Sequence, residues 1–274
     1  MGASAPPAED ALPEGAIPTD RVTLGAGTLV ITDLHLAPLG DERTEEFVRW
    51  CDAVKGVPVV VCLGDLFDAW VGRRQARVEG SRDVLAALRR LVERGIAVHL
   101  VPGNRDLVLD KAFDEVTGGT LHAEGFVGEL DNGTSIACVH SDALCTLDVD
   151  YQRLRRLWLW GPLRFASRHA PLWFARWIGR RMRRLSETRK PLKLPEEKSI
   201  RPAAVRRTAA ETGAGVVVCG HAHEARDEAL PAGDGGPAVR WIVVGAWGGD
   251  RDLLEVGPGG ALELASTAAP TSGA

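Results

Sequence analysis

The chain has 274 residues, 45% of them hydrophobic, and a formal net charge of -4, so it can bury a full core as one large domain or as one domain with an insertion. The acidic balance argues against a nucleic acid partner, and no segment has the unbroken apolar length of a membrane-spanning helix. Cys51, Cys62, Cys138, Cys145 and Cys219 are odd in number and lack Cys-x-x-Cys spacing, which suits reduced thiols in a cytosolic compartment.

Residues 1–20 carry no Lys or Arg and no apolar run, so they read as a disordered tail and not as a leader or anchor. Thr28–Thr32 is a short apolar strand that runs into Asp33-Leu34-His35. Residues two apart at a strand end project to the same side, so Asp33 and His35 can share one ion. Thr44–Val54 has the apolar spacing of a helix. Val57–Leu63 is a run too apolar to face water; it stops at Gly64 and delivers Asp65 and Asp68, the pattern of a buried strand ending in a polar site. A buried Asp65 needs either a proton or a cation beside it.

Arg82–Arg94 repeats the helical spacing before Gly95 ends it, and Ile96–Val101 is the next strand, closing on Pro102-Gly103-Asn104-Arg105-Asp106. This alternation of strand and helix predicts a layered α/β architecture with sites at strand ends. Phe126–Leu130 and Ser135–Val139 flank Asn132-Gly133 as a hairpin whose second arm delivers His140.

From 151 to 198 the character changes to short, Pro-interrupted, Trp-rich helices. About half of the 33 Lys and Arg fall between Arg153 and Arg207, with only Glu187, Glu196 and Glu197 against them, so this stretch should seek anions. Strands resume at Val216–Cys219, which ends in Gly220-His221-Ala222-His223, and continue at Val239–Val244, Leu253–Val256 and Ala261–Leu264. The predicted organisation is a core over 21–150 and 199–264, an inserted helical lid over 151–198, and a disordered tail over 265–274.

Asp33, His35, Asp65, Asn104, His140, His221 and His223 are therefore oxygen and imidazole donors at strand ends, with no thiolate among them. The mixture suits Mn²⁺, Fe²⁺ or Zn²⁺ better than Ca²⁺. The set is too large for one ion and matches two ions sharing one carboxylate. Asp68 and Asp106 lie in the same turns, either orienting ligands or solvated.

In this order the motifs resemble the calcineurin-like metallophosphoesterases, which implies an α/β sandwich of two β-sheets flanked by helices, here with the inserted lid. By that resemblance Asp33, His35 and His223 hold one metal, Asn104, His140 and His221 hold the other, and Asp65 bridges them. Arg105 stands where many phosphomonoesterases of the family have histidine. Arginine steadies negative charge but cannot protonate a leaving group, so the site suits a leaving group already stable as an anion, such as a phosphate monoester released from a diphosphate.

The turn Gly103–Asp106 and the segment His140–Gln152 are similar to those of the UDP-2,3-diacylglucosamine diphosphatases of lipid A synthesis. Further matches are Asp65-Leu66-Phe67 with Ala69-Trp70, Arg181-Met182-Arg183 with Ser186, and Gly245-Ala246-Trp247. This resemblance implies Mn²⁺, hydrolysis of UDP-2,3-diacylglucosamine to UMP and 2,3-diacylglucosamine 1-phosphate, lipid X, and a cytoplasmic enzyme peripheral to the anionic inner-membrane surface. It also implies sugar contacts from Asp148 and Ser186 and substrate contacts from Lys190, Lys193 and His221, alongside catalytic Asn104, Arg105 and His140. Ser141, where that family usually has glycine, Gly248, where a histidine is common, and Ser199-Ile200-Arg201 depart from the pattern. Alternatives are a phosphohydrolase of another phosphoester or diphosphate, and a non-catalytic binding scaffold; a nuclease fits the lid aromatics less well.

Overall fold

Side chains on a strand alternate between its two faces, and in this chain both faces are apolar. The computed structural model describes residues 17–171, 173, 177, 181, 199–232 and 236–268. In it β3 (Val59–Leu63) is buried at every position, as expected of a strand covered on both sides. Val59, Val61 and Leu63 enter a layer shared with Phe126, Ile136, Val218 and Ile242. Val60 and Cys62 face the other way, onto Phe47 of α1 (Glu42–Ala53) and Leu85 and Leu88 of α2 (Glu79–Glu93).

Two six-stranded sheets enclose that inner layer, ordered β1-β6-β7-β8-β10-β9 and β12-β11-β2-β3-β4-β5. In the second, β2 (Leu29–Ile31), β3, β4 (Ala97–Val101) and β5 (Thr120–Leu121) pair in parallel, while β11 (Leu253–Val256) and β12 (Leu262–Ala265) extend it antiparallel. In the first, the hairpin of β6 (Phe126–Leu130) and β7 (Ser135–Val139) is antiparallel, and β7, β8 (Val216–Cys219) and β10 (Val239–Val243) run parallel. The outer face of this sheet, with Ala137, Val217 and Val243, packs on Ala204, Val205 and Ala209 of α6 (Pro202–Thr212). The parallel strands β2, β3, β4, β7 and β8 each end in one of the polar turns read from the sequence.

The sandwich has the expected plan, with elements at its margins that local patterning did not reveal. β1 (Asp20–Leu24) and β9 (Arg226–Leu230) sit at the two edges of one sheet and are largely exposed, so neither has an apolar alternation to read. α1 starts before the expected Thr44 because Asp41 Oδ1 accepts hydrogen bonds from the Thr44 N–H (2.9 Å) and hydroxyl (2.8 Å), an N-cap. α3 (Ala112–Thr117) and α6 were likewise not anticipated.

Of the predicted lid, the described residues form α4 (Val149–Leu159) and α5 (Gly161–His169), the latter with proline in its first turn; beyond 171 only residues 173, 177 and 181 are described before 199. Trp158 packs against the cluster beneath α1 and α2. Among the described residues no helix is long and apolar enough to cross a membrane.

Candidate metal centre

The turns that follow the parallel strands are backbone-strained. Among the described residues six non-glycine residues have positive φ: Asp33 (51°), His35 (51°), Asp65 (50°), Ser141 (83°), His221 (68°) and His223 (62°). Such conformations are each worth about 1–3 kcal/mol of strain and gather where function requires an exact arrangement. Close approach adds a further constraint: a Cβ on Gly64 would collide with the His140 ring, and one on Gly103 with the Asp65 carboxylate.

The structure brings all the strand-end donors together, in two groups. In the first, His223 Nε2 lies 3.4 Å from Asp33 Oδ1 and 3.2 Å from His35 Nε2. In the second, Asn104 Oδ1 lies 3.3 Å from His140 Nε2 and 3.0 Å from His221 Nδ1. Asp65 faces both, with Oδ1 3.6 Å from His140 Nε2 and Oδ2 3.7 Å from His35 Nδ1. Asp33, His35 and His223, and likewise Asp33, Asp65 and His140, each present ligand atoms within 4.8 Å of one another. His140 Nδ1–H donates to the Leu63 carbonyl at 2.9 Å, which aims Nε2 at Asn104 and Asp65.

The pocket leaves buried polar atoms unpaired. Asp33 is fully buried, and its Oδ1, like His35 Nδ1, has no hydrogen-bond partner. Burial and the nearby Arg105 charge push His35 down to about 3, and burial with the His140 charge pushes His221 down to about 4, so both imidazoles are neutral and able to ligate. Burial raises Asp65. His140 is also raised, because the carboxylates of Asp65 and Asp33 outweigh its burial. The Asp65–His140 pair thus retains a proton that a cation would displace. Orphaned buried acceptors, neutral imidazoles and facing carboxylates fit a pair of divalent cations.

Arg105 borders this cluster. Its backbone N–H donates to Asp65 Oδ1 at 2.9 Å, its Nε is 3.7 Å from Asp65 Oδ2, and its NH1 donates to Asp68 Oδ1 at 3.0 Å. Asp106 is fully buried and accepts from the Gly103 N–H at 2.7 Å and the Phe67 N–H at 3.2 Å, tying the turn after β4 to the turn after β3. Asp68 thus holds the Arg105 guanidinium and Asp106 braces the turn that carries Asn104. Asp148 caps α4, its Oδ1 accepting from the Tyr151 N–H at 3.0 Å. Ser186, Lys190 and Lys193 lie outside the described residues.

One group was not foreseen. Asp142, two residues past His140, accepts from the Tyr151 hydroxyl and lies 3.3 Å from Arg155 Nε. Arg155 NH2 donates to Glu124 at 2.7 Å, and Gln152 Nε2 donates to the carbonyls of Asp142 (2.9 Å) and Cys145 (3.2 Å). Tyr151, Gln152 and Arg155 share one face of α4, so polar residues at helical spacing beside Asp142 were the available signal. They join α4 to the turn that carries His140.

The profile of the calcineurin-like phosphoesterase family matches residues 27–225. A protein of Pseudomonas fluorescens named "UDP-2,3-diacylglucosamine hydrolase" is 32% identical over 229 residues, covering 83% of this chain and 90% of its own length. A protein of Pseudomonas putida with the same name is 35% identical over 221 residues, covering 80% and 90%. Among solved structures, the phosphopantetheinyl hydrolase of Mycobacterium tuberculosis superposes with a TM-score of 0.39 at 16% identity, over 81% of this chain and 90% of that one.

Proposed function

The chain belongs to the calcineurin-like phosphoesterase family of metal-dependent hydrolases, and from that premise we propose that it hydrolyses the diphosphate of UDP-2,3-diacylglucosamine to UMP and 2,3-diacylglucosamine 1-phosphate. The observation that carries the reading is a paired donor set, split between two half-sites that both face Asp65. It occurs in a chain that matches hydrolases named for this substrate over most of their length.

In this proposal Asp33, His35 and His223 would hold one ion and Asn104, His140 and His221 the other, with Asp65 able to serve both and Mn²⁺ the occupant best suited to such mixed donors. When bound, two divalent ions supply Lewis acidity and activation of a water nucleophile at neutral pH. The Arg105 guanidinium, tethered to Asp68 and beside Asp65, steadies charge on the phosphoryl oxygens while donating no proton. None is required, because the departing phosphate monoester is already a stable anion. Asp148 at the start of α4, with Ser186, Lys190 and Lys193, would meet the sugar and phosphates.

The lid carries the lipid part of the reading. Leu157, Trp160, Phe165, Trp173 and Trp177 are exposed large apolar residues, an area suited to acyl chains at about 25 cal/mol per Å² buried. The arginines of the same stretch suit diphosphate and an anionic membrane surface, which supports a peripheral location at the cytoplasmic face of the inner membrane. The test is incubation of the Mn²⁺-loaded protein with UDP-2,3-diacylglucosamine, following the phosphorus products. UMP and the sugar 1-phosphate should appear in equal amounts. Intact substrate at saturating Mn²⁺ would refute the proposal.

A further inference from the structure

The donors of the candidate metal centre come from two separately hydrogen-bonded sheets stacked on one apolar layer, so they converge only if the strand ends that carry them are held in place. A circuit of hydrogen bonds runs around their base. The Leu63 carbonyl, at the end of β3, accepts from His140 Nδ1 and from the Thr32 hydroxyl, each at 2.9 Å. Thr32 Oγ1 lies equally close, 2.9 Å, to Asp33 Oδ2, so its single proton is shared between that oxygen and the Leu63 carbonyl, and Asp33 Oδ2 also accepts the His221 N–H at 2.8 Å. The Gly220 carbonyl, immediately before His221, accepts from Ser141 Oγ at 3.1 Å. Ser141 follows His140, which returns the circuit to Leu63.

Four strand ends, those of β2, β3, β7 and β8, are joined in this way. The two links between the sheets are made by ligand residues themselves, through His140 Nδ1 and the His221 N–H. The two links within a sheet are made by hydroxyls of residues that have no place among the donors. Both are buried, Thr32 fully and Ser141 at 2% exposure, and each contributes its hydroxyl to the circuit.

We infer that Thr32 and Ser141 are positioning residues of the metal centre, their hydroxyls fixing neighbouring strand ends within each sheet, and so the donors those ends carry, without touching an ion. This rests on the metal-dependent reading of the site. Ser141 makes the argument sharpest, because it adopts φ 83°, where glycine would sit without strain. What serine adds in return for that strain is the Oγ contact to Gly220. Neither hydroxyl is the sole partner of its acceptor: Gly220 O also takes the Ala222 N–H at 2.8 Å, Leu63 O keeps His140, and Asp33 Oδ2 keeps His221. Removing one hydroxyl leaves no buried acceptor orphaned, so the fold survives and the restraint on the ligands is what is lost.

The experiment is calorimetric titration of the metal-stripped full chain with Mn²⁺, together with thermal unfolding of the metal-free forms. Ser141→Gly, which also relieves the backbone, and Thr32→Ala should each weaken binding of at least one ion by about 10–100-fold, the range for loss of an outer partner of a metal ligand. Thr32→Ser, which keeps the hydroxyl and loses the same methyl, should bind like the unmodified chain. Unchanged affinity in Ser141→Gly and Thr32→Ala would overturn the role while leaving the metal centre intact, as would equal weakening in Thr32→Ser and Thr32→Ala for Thr32. Should Thr32→Ala fail to fold, Ser141→Gly decides. If the unmodified chain takes up no Mn²⁺, the metal centre and this role fall together.

Discussion

Replacing Arg155 by methionine removes a buried cation and takes from Asp142 its chief compensating charge. Both residues are 4% exposed, and Arg155 Nε stands 3.3 Å from Asp142 Oδ2. Breaking a buried pair from one side destabilises by about 3–5 kcal/mol, because the remaining ion keeps its desolvation penalty. At about 2–4 °C per kcal/mol for a domain of this size, the melting temperature should fall by roughly 6–20 °C. Glu124, the other partner, is more exposed than Asp142 and can turn to water.

The pH dependence distinguishes this cause from lost packing. Burial alone would push Asp142 up, but the Arg155 charge, with the His140 charge and the Tyr151 hydroxyl, holds it below its ordinary value. A depressed carboxylate contributes stability above its unfolded pKa and loses it as pH falls through the folded one. In Arg155→Met the chief lowering influence is gone and burial prevails, so the sign reverses and the carboxylate is a burden at neutral pH. The gap in melting temperature between the two forms should therefore narrow from pH 7 toward pH 4. The double variant Arg155→Met/Asp142→Asn should recover part of the loss in a denaturant or thermal cycle. A single variant less than about 1 kcal/mol down, or a double variant worse than the sum of its parts, would refute the buried-pair argument.

Asp65→Asn should abolish Mn²⁺-dependent turnover and cut calorimetric uptake to at most one ion, with native circular dichroism retained; undiminished UMP release would remove its bridging role. Arg105→Met should lower kcat about 10²–10³-fold, as for loss of a charge-stabilising donor, leave metal uptake unchanged and leave no acidic group missing from the pH profile; Arg105→Lys should restore only part of the rate, since the fork is not reproduced. Because the Asp65–His140 pair retains a proton without a cation, metal binding at pH 7 should release about one proton, seen as a buffer-dependent enthalpy, and affinity should fall as pH is lowered. Shortening both acyl chains of the substrate should reduce kcat/KM sharply in the unmodified chain and less in Trp160→Asp, if the exposed ring contributes lipid contact.

The donors themselves were legible because the signals that mark them are local. A short, β-branched apolar run such as Val57–Leu63, stopped by glycine, fits a buried strand, and the polar turn beyond Gly64 then lies where that strand leaves the core. The hairpin delivering His140 and the strand delivering His221 and His223 were read in the same way, and β6, β7, β8 and β11 fall where expected. β1 and β9 escaped because edge strands exposed on one side carry charged residues, Asp20-Arg21 and Arg226-Asp227-Glu228, that look like loop. α6 escaped because its buried face is made of small residues, Ala204, Thr208 and Ala209, which carry little of the hydrophobic periodicity that marks a helix.

Residue type and strand period were thus sufficient to name the groups that converge and to assign each to a strand end, since alternation and turn chemistry act over a few residues. Which donors face one another was decided by tertiary structure alone: Asp65 between the two groups, Thr32 and Ser141 closing a circuit across Leu63 and Gly220, Arg155 reaching back to Asp142. Those distances depend on the order of strands in two sheets and on how the sheets stack. That order is set by packing of residues far apart in the chain, and no local period records it.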